Sequence, residues 1–136
     1  MSYRDPISAI FDLQDAIVHL SDNGAIRSHA NDVGFLQLAT ANPELMEGYI
    51  LSLHHAADSA AVHYPTWEMH PEGDELLILL SGSMSTELRQ ERSQSIELLA
   101  CQTASIVPAG VWHRLIVHEP SMLIAITPRK GTLLED

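Results

Sequence analysis

Glu68, His70 and Glu75 stand at the mouth of an unbroken apolar run, residues 76–80, and His113 follows a Pro108-Ala109-Gly110 turn far along the chain. Glu68 and His70 are two residues apart, so an extended backbone projects both to one side. Pro71-Glu72-Gly73-Asp74 reads as a turn that lets Glu75 swing back toward the same point. The second segment repeats the device, a Pro-Gly turn delivering a histidine to the start of a strand. Two such turns facing each other across a barrel mouth would gather two imidazoles and two carboxylates. That donor set suits a divalent metal such as Fe(II), Mn(II), Ni(II) or Zn(II).

The elements that must position these residues are short. Apolar residues come in blocks separated by turn chemistry, the pattern of many strands rather than of long helices. Residues 16–20 and 25–30 read as a hairpin around Asn23-Gly24, which tolerates the positive φ of a tight turn. Further strands are expected at 34–39, 47–53, 75–80, 84–90, 96–99, 104–107, 111–118 and 122–127. Asn42-Pro43, Ser81-Gly82-Ser83 and 91–94 are the punctuation between them, and a polar tail begins at 129–131. Residues 6–17 are the one helix candidate. The sum is a single all-β domain over 1–136.

Composition narrows the partners. Eighteen Asp and Glu against seven Lys and Arg give a formal charge of −11, which repels phosphate backbones and anionic membrane surfaces. Neither nucleic acid nor a membrane is expected as a partner; a small molecule is. No apolar run approaches a membrane span, and the first residues lack the pattern of a signal peptide, so a cytoplasmic location is expected. The single cysteine, Cys101, has no internal disulfide partner and reads as a buried small apolar residue. In the run 75–80 both faces are apolar, with Leu76, Ile78 and Leu80 opposite Leu77 and Leu79. The outer face should be covered by the N-terminal hairpin or by a second subunit. Burial is worth about 1.5 to 3 kcal/mol per Leu or Ile, so a homodimer is expected.

The two segments resemble the paired signatures of the cupin superfamily. The first, G-x5-H-x-H-x3,4-E-x6-G, is matched by Glu68-Met69-His70, four residues, Glu75, six residues and Gly82; the second, G-x5-P-x-G-x2-H-x3-N, by Pro108-Ala109-Gly110, two residues and His113. The resemblance covers 47–127 and leaves 1–40 as an N-terminal hairpin extension. It implies a double-stranded β-helix, the cupin jelly-roll barrel, and a divalent metal on His70, Glu75 and His113. Four positions depart from the signatures: Glu68 replaces the first histidine, Val62 and Gln102 replace glycines, and Val117 replaces the asparagine.

Glu68 therefore has three readings. It is a fourth metal ligand, a catalytic general base beside a facial triad, or a residue turned to solvent over a degenerate site. Without metal, Glu68 and Glu75 are expected to crowd each other until one keeps its proton at neutral pH. Two functions follow from the resemblance: a metal-dependent enzyme, dioxygenase- or isomerase-like, on a small organic molecule, or a non-catalytic ligand-binding or sensor module. Of the other histidines, at most one of His54 and His55 faces the interior, His63 is placed at the entrance, and His19, His29 and His118 are structural or solvated. Trp67 and Trp112 alternate away from the site and should pack.

Overall fold

Residues 10–91 and 93–136 are described by a computed structural model. In chain order the strands are β1 (Ala16–Leu20), β2 (Ile26–Ala30), β3 (Tyr49–Ala56), β4 (Trp67–Met69), β5 (Glu75–Gln90), β6 (Ser93–Leu99), β7 (Ala104–Val107), β8 (Trp112–Pro128) and β9 (Leu133–Glu135), with one α-helix, α1 (Val33–Ala41). All strand pairings are antiparallel. β5 and β8 run alongside each other over most of their length and pass through both halves of the molecule. One half-sheet is ordered β2, β1, β3, the second half of β8, the first half of β5, β7. The other is ordered β9, β4, the first half of β8, the second half of β5, β6. Their inner faces meet in a core of Leu77, Leu79, Met84, Leu99, Val107, Leu123 and Ala125. This is the expected jelly roll. Hydrogen bonding does not close it into a barrel, because β2, β6, β7 and β9 each pair with a single described strand.

Several local expectations are corrected. Ser81-Gly82-Ser83 is not a turn between strands but a bend within β5, where the register to β8 shifts between Leu79 and Met84. β8 bends opposite, at Glu119-Pro120, so 111–118 and 122–127 form one strand. Gly82 has φ +94 and lies against Ser121 and Pro120, where a side chain would collide with backbone. Residues 34–39 form helix rather than strand. The Asp32 side chain accepts from Gly34 N–H and caps α1, and Pro43 follows its last turn. Of the helix candidate 6–17, residues 6–9 lie outside the described residues; the rest is a 3₁₀ turn, Leu13–Asp15, running into β1. The tail is no loose end, since β9 pairs with β4. Cys101 is exposed, not buried.

The hairpin of β1 and β2 forms as expected, but β1 joins the edge of β3 and does not lie over β5. The outer face of that half-sheet carries Leu51, Leu53, Leu76, Ile78, Ile124 and Ile126, all half-buried, beside Ile106, which is 66% exposed. No helix among the described residues is long and apolar enough to cross a membrane.

The bend is testable by substitution. Gly82→Ala meets both the left-handed backbone and the Ser121 contact, whereas Gly110→Ala (φ +80) meets open space. Gly82→Ala is expected to cost well over about 1 kcal/mol and Gly110→Ala clearly less, read from urea unfolding midpoints. Equal losses would remove the packing role assigned to Gly82.

Candidate metal centre

Glu68 lies in β4 directly opposite His113 in β8. Paired residues share a face, so both project toward the space between the half-sheets. His70 follows the end of β4 and Glu75 opens β5. The turns that deliver the histidines are stapled together: Gly110 N–H donates to His70 O at 2.9 Å, and Ala109 N–H donates to Asp74 Oδ1 at 2.8 Å. Asp74 thus caps backbone across the two turns.

The four predicted residues come together. One donor atom from each of Glu68, His70, Glu75 and His113 lies within 4.8 Å of the others. Glu75 is at the centre: its Oε1 is 3.0 Å from His113 Nε2, and its Oε2 is 3.5 Å from His70 Nε2. Glu68 Oε1 is 2.9 Å from His70 Nε2. Three of the side chains are almost fully buried, while that of Glu68 is 30% exposed.

Residues that the sequence reading did not single out fix this geometry. Thr127 Oγ1 donates to Glu75 Oε2 at 2.6 Å. His70 Nδ1 donates at 2.9 Å to Thr132 Oγ1, whose own hydroxyl donates to Arg129 O at 3.0 Å. His113 Nδ1 donates to Val111 O at 3.1 Å. With both Nδ1 atoms committed to donating outward, both Nε2 atoms face the carboxylates, the tautomer arrangement that metal-binding histidines use. Thr127 continues the inward alternation of Leu123 and Ala125, so it was legible as an inward polar group. Thr132 carries no comparable signal.

His70 Nε2 is buried and makes no hydrogen bond of acceptable geometry, although Glu68 Oε1 is within ion-pair distance. A buried imidazole nitrogen off the line of its nearest acceptor, among two carboxylates and a second imidazole, fits a cation. Burial opposes charge on His70, but the close carboxylates of Glu68 and Glu75 outweigh it and raise its pKa to about 9. Burial likewise opposes ionisation of Glu75, yet His113, His70 and Thr127 pull it down to about 2. Glu68 is also held below its usual range, burial being outweighed by His70. The expected retention of a proton by one carboxyl is therefore corrected. The imidazole of His70 stands between the two acids and takes the proton instead.

Glu68, Glu75 and His113 line a cavity of about 140 Å³. Its walls include Ile50, Leu77 and Leu115, and its rim His54, His63 and Arg129. His54 lines it, while His55 hydrogen-bonds Gln14. Trp67 is buried with the guanidiniums of Arg89 and Arg114 at 4.7 and 4.1 Å from its ring, a packing role as expected. His19 bonds Glu47 O and His118 bonds Ser85, both structural. Tyr49 stays outside this cavity and Met84 is core.

No known family's sequence profile matches the chain, and a comparison with curated proteins finds no match. Solved structures do resemble it. A cupin-2 domain containing protein from Shewanella frigidimarina is 21% identical with a TM-score of 0.48, over 60% of this chain and 72% of that one. Hydroxypropylphosphonic acid epoxidase from S. wedmorenis, in complex with fosfomycin, is 15% identical with a TM-score of 0.50, over 62% of this chain and 46% of that one. Peruvianin-I, a cysteine peptidase from Thevetia peruviana latex, is 11% identical with a TM-score of 0.50, over 63% and 55%. The chain spans less than two thirds of the last two. At these identities the likeness is one of fold, and the fold is the cupin jelly roll.

The charge balance sets a pH profile for the metal-free protein. Glu75, depressed to about 2, contributes stability that is complete above about pH 4.5 and is lost as pH falls through 2; His70, raised to about 9, contributes stability complete below about 6.5 and lost as pH rises through 9. Thermal unfolding of metal-free protein should therefore peak between about pH 4.5 and 6.5, and His70→Gln should flatten the alkaline limb. An unchanged alkaline limb would contradict the proton assignment.

Proposed function

We propose that this cupin-fold chain holds a divalent metal on His70, Glu75 and His113 and acts as an enzyme on a small organic molecule bound in the adjoining cavity. The observation that carries the reading is the convergence of the four donors around the unbonded, buried His70 Nε2. A divalent ion held there would supply Lewis acidity toward a carbonyl or enediol, or a binding position for dioxygen. Thr127 fixes the carboxylate of Glu75 so that both its oxygens face the histidines. Val111 O and Thr132 set the tautomers of His113 and His70. Glu68 is the most exposed of the four and lines the cavity. Beside a divalent cation its carboxylate would stay ionised, and it would serve as the proton acceptor for bound substrate.

A second reading is favoured by one observation. The Glu68–His70 ion pair balances charge without any metal, as expected of a binding module that performs no turnover. Metal analysis separates the two. The enzyme reading expects close to one Fe, Mn, Ni or Zn ion per chain and a rise in unfolding temperature when that ion is added. His113→Ala should abolish uptake, Thr127→Val should weaken it about 10- to 100-fold, and Glu68→Gln should retain the ion. Loss of the ion in Glu68→Gln makes Glu68 a fourth ligand; absence of metal together with absence of any thermal shift sinks the enzyme reading.

The outer aliphatic face supports association as a homodimer. Leu76, Ile78, Ile124 and Ile126 lie side by side on it without an intervening charge. Light scattering at micromolar concentration should give twice the chain mass, and Ile78→Glu should give the single mass. A wild-type monomer would remove the dimer.

A further inference from the structure

Among the described residues three of the five basic side chains are neutralised: Arg89 pairs with Glu135 at 2.8 Å, Lys130 with Glu47 at 3.0 Å, and Arg114 with Glu87, whereas Arg27, on β2, and Arg129 have no carboxylate within ion-pair distance. Arg114 also lines the cavity, but Glu87, Pro65 O and the rings of Tyr64 and Trp67 occupy its guanidinium. Arg129 lines the same cavity, is exposed, and has no carboxylate partner among the described residues. It follows the end of β8, two residues beyond Thr127, and its carbonyl anchors the Thr132 hydroxyl that orients His70. Its backbone is thus tied to the candidate centre while its side chain makes no ion pair among the described residues. A guanidinium keeps its proton at any physiological pH, so Arg129 supplies the permanent positive charge beside His54.

A cation lining the cavity with no carboxylate partner among the described residues is conspicuous in a chain of formal charge −11. The centre itself gives no reason for an anion to enter: two ionised carboxylates and two neutral imidazoles around a divalent ion sum to zero. A planar guanidinium is suited to a carboxylate, which it can grip through two parallel hydrogen bonds. We propose that Arg129 selects the substrate class of this site, a small organic carboxylate whose anionic end is held at the rim while its other end faces Glu68. This rests on the metal-centre reading above and adds the charge of the substrate to it.

The test uses propionate and the isosteric, neutral propionamide as probes of Mn(II)-loaded protein. Paramagnetic broadening of the probe protons reads both affinity and nearness to the ion. Metal stoichiometry is measured first in each sample, and circular dichroism confirms that each variant is folded. Wild type is expected to bind propionate at least tenfold more tightly than propionamide; Arg129→Gln should lose most of that preference at unchanged metal content and unchanged propionamide binding, and Arg129→Lys should restore part of it. Equal binding of the two probes, or a preference that survives in Arg129→Gln, overturns the assignment of Arg129 while leaving the metal reading standing. A protein that takes up no Mn(II), Fe(II), Ni(II) or Zn(II) fails the metal reading and this inference together.

Discussion

A buried carboxylate at the head of an apolar strand is the constraint on which the site depends. Glu75 is 6% exposed, with Leu77 and Leu79 continuing its face into the core. A charge in that position is costly unless it is surrounded by donors or cations. The fold supplies Thr127 from β8, His113 from the other end of the same strand, and His70 from the turn just before it. Because β8 contributes on both sides of its bend, the bends in β5 and β8 are what let one pair of strands wrap the carboxylate. The staples between Asp74 and Ala109 and between His70 and Gly110 hold the two turns together beside it.

The same constraint explains the charge state. The two acids do not repel each other into sharing a proton because an imidazole lies between them, and that imidazole becomes the base of the cluster. In the metal-free protein the cluster is a proton site, and a cation would enter by displacing that proton. Glu68 is what makes this balance possible. It adds a second negative charge beside His70 and places a carboxylate, 30% exposed, in the cavity lining.

Much of this was legible in the residues. The alternation of residues 75–80 gave the inner and outer faces correctly, Pro-Gly turns marked where the histidines emerge, and Glu68, His70, Glu75 and His113 met as their spacing required. What the sequence concealed was long-range or capped. Residues 34–39 looked like a strand because a short run of apolar residues has no decisive period, and the Asp32 cap decided for helix. Ser81-Gly82-Ser83 looked like a turn because a strand bend and a hairpin turn share the same residue types. β9 and Thr132 were hidden because their partners lie over sixty residues earlier, at β4 and His70. Arg129 looked like the start of a tail; only the cavity lining gives it a place.

The central claim is that His70, Glu75 and His113 form a metal site with Glu68 beside it. Anomalous diffraction from crystals grown with Mn(II) or Fe(II), recorded above and below the metal edge, tests it most directly. The expected result is one strong peak about 2.0 to 2.3 Å from His70 Nε2, His113 Nε2 and an oxygen of Glu75. No peak among them, with His70 still paired to Glu68, would contradict the account.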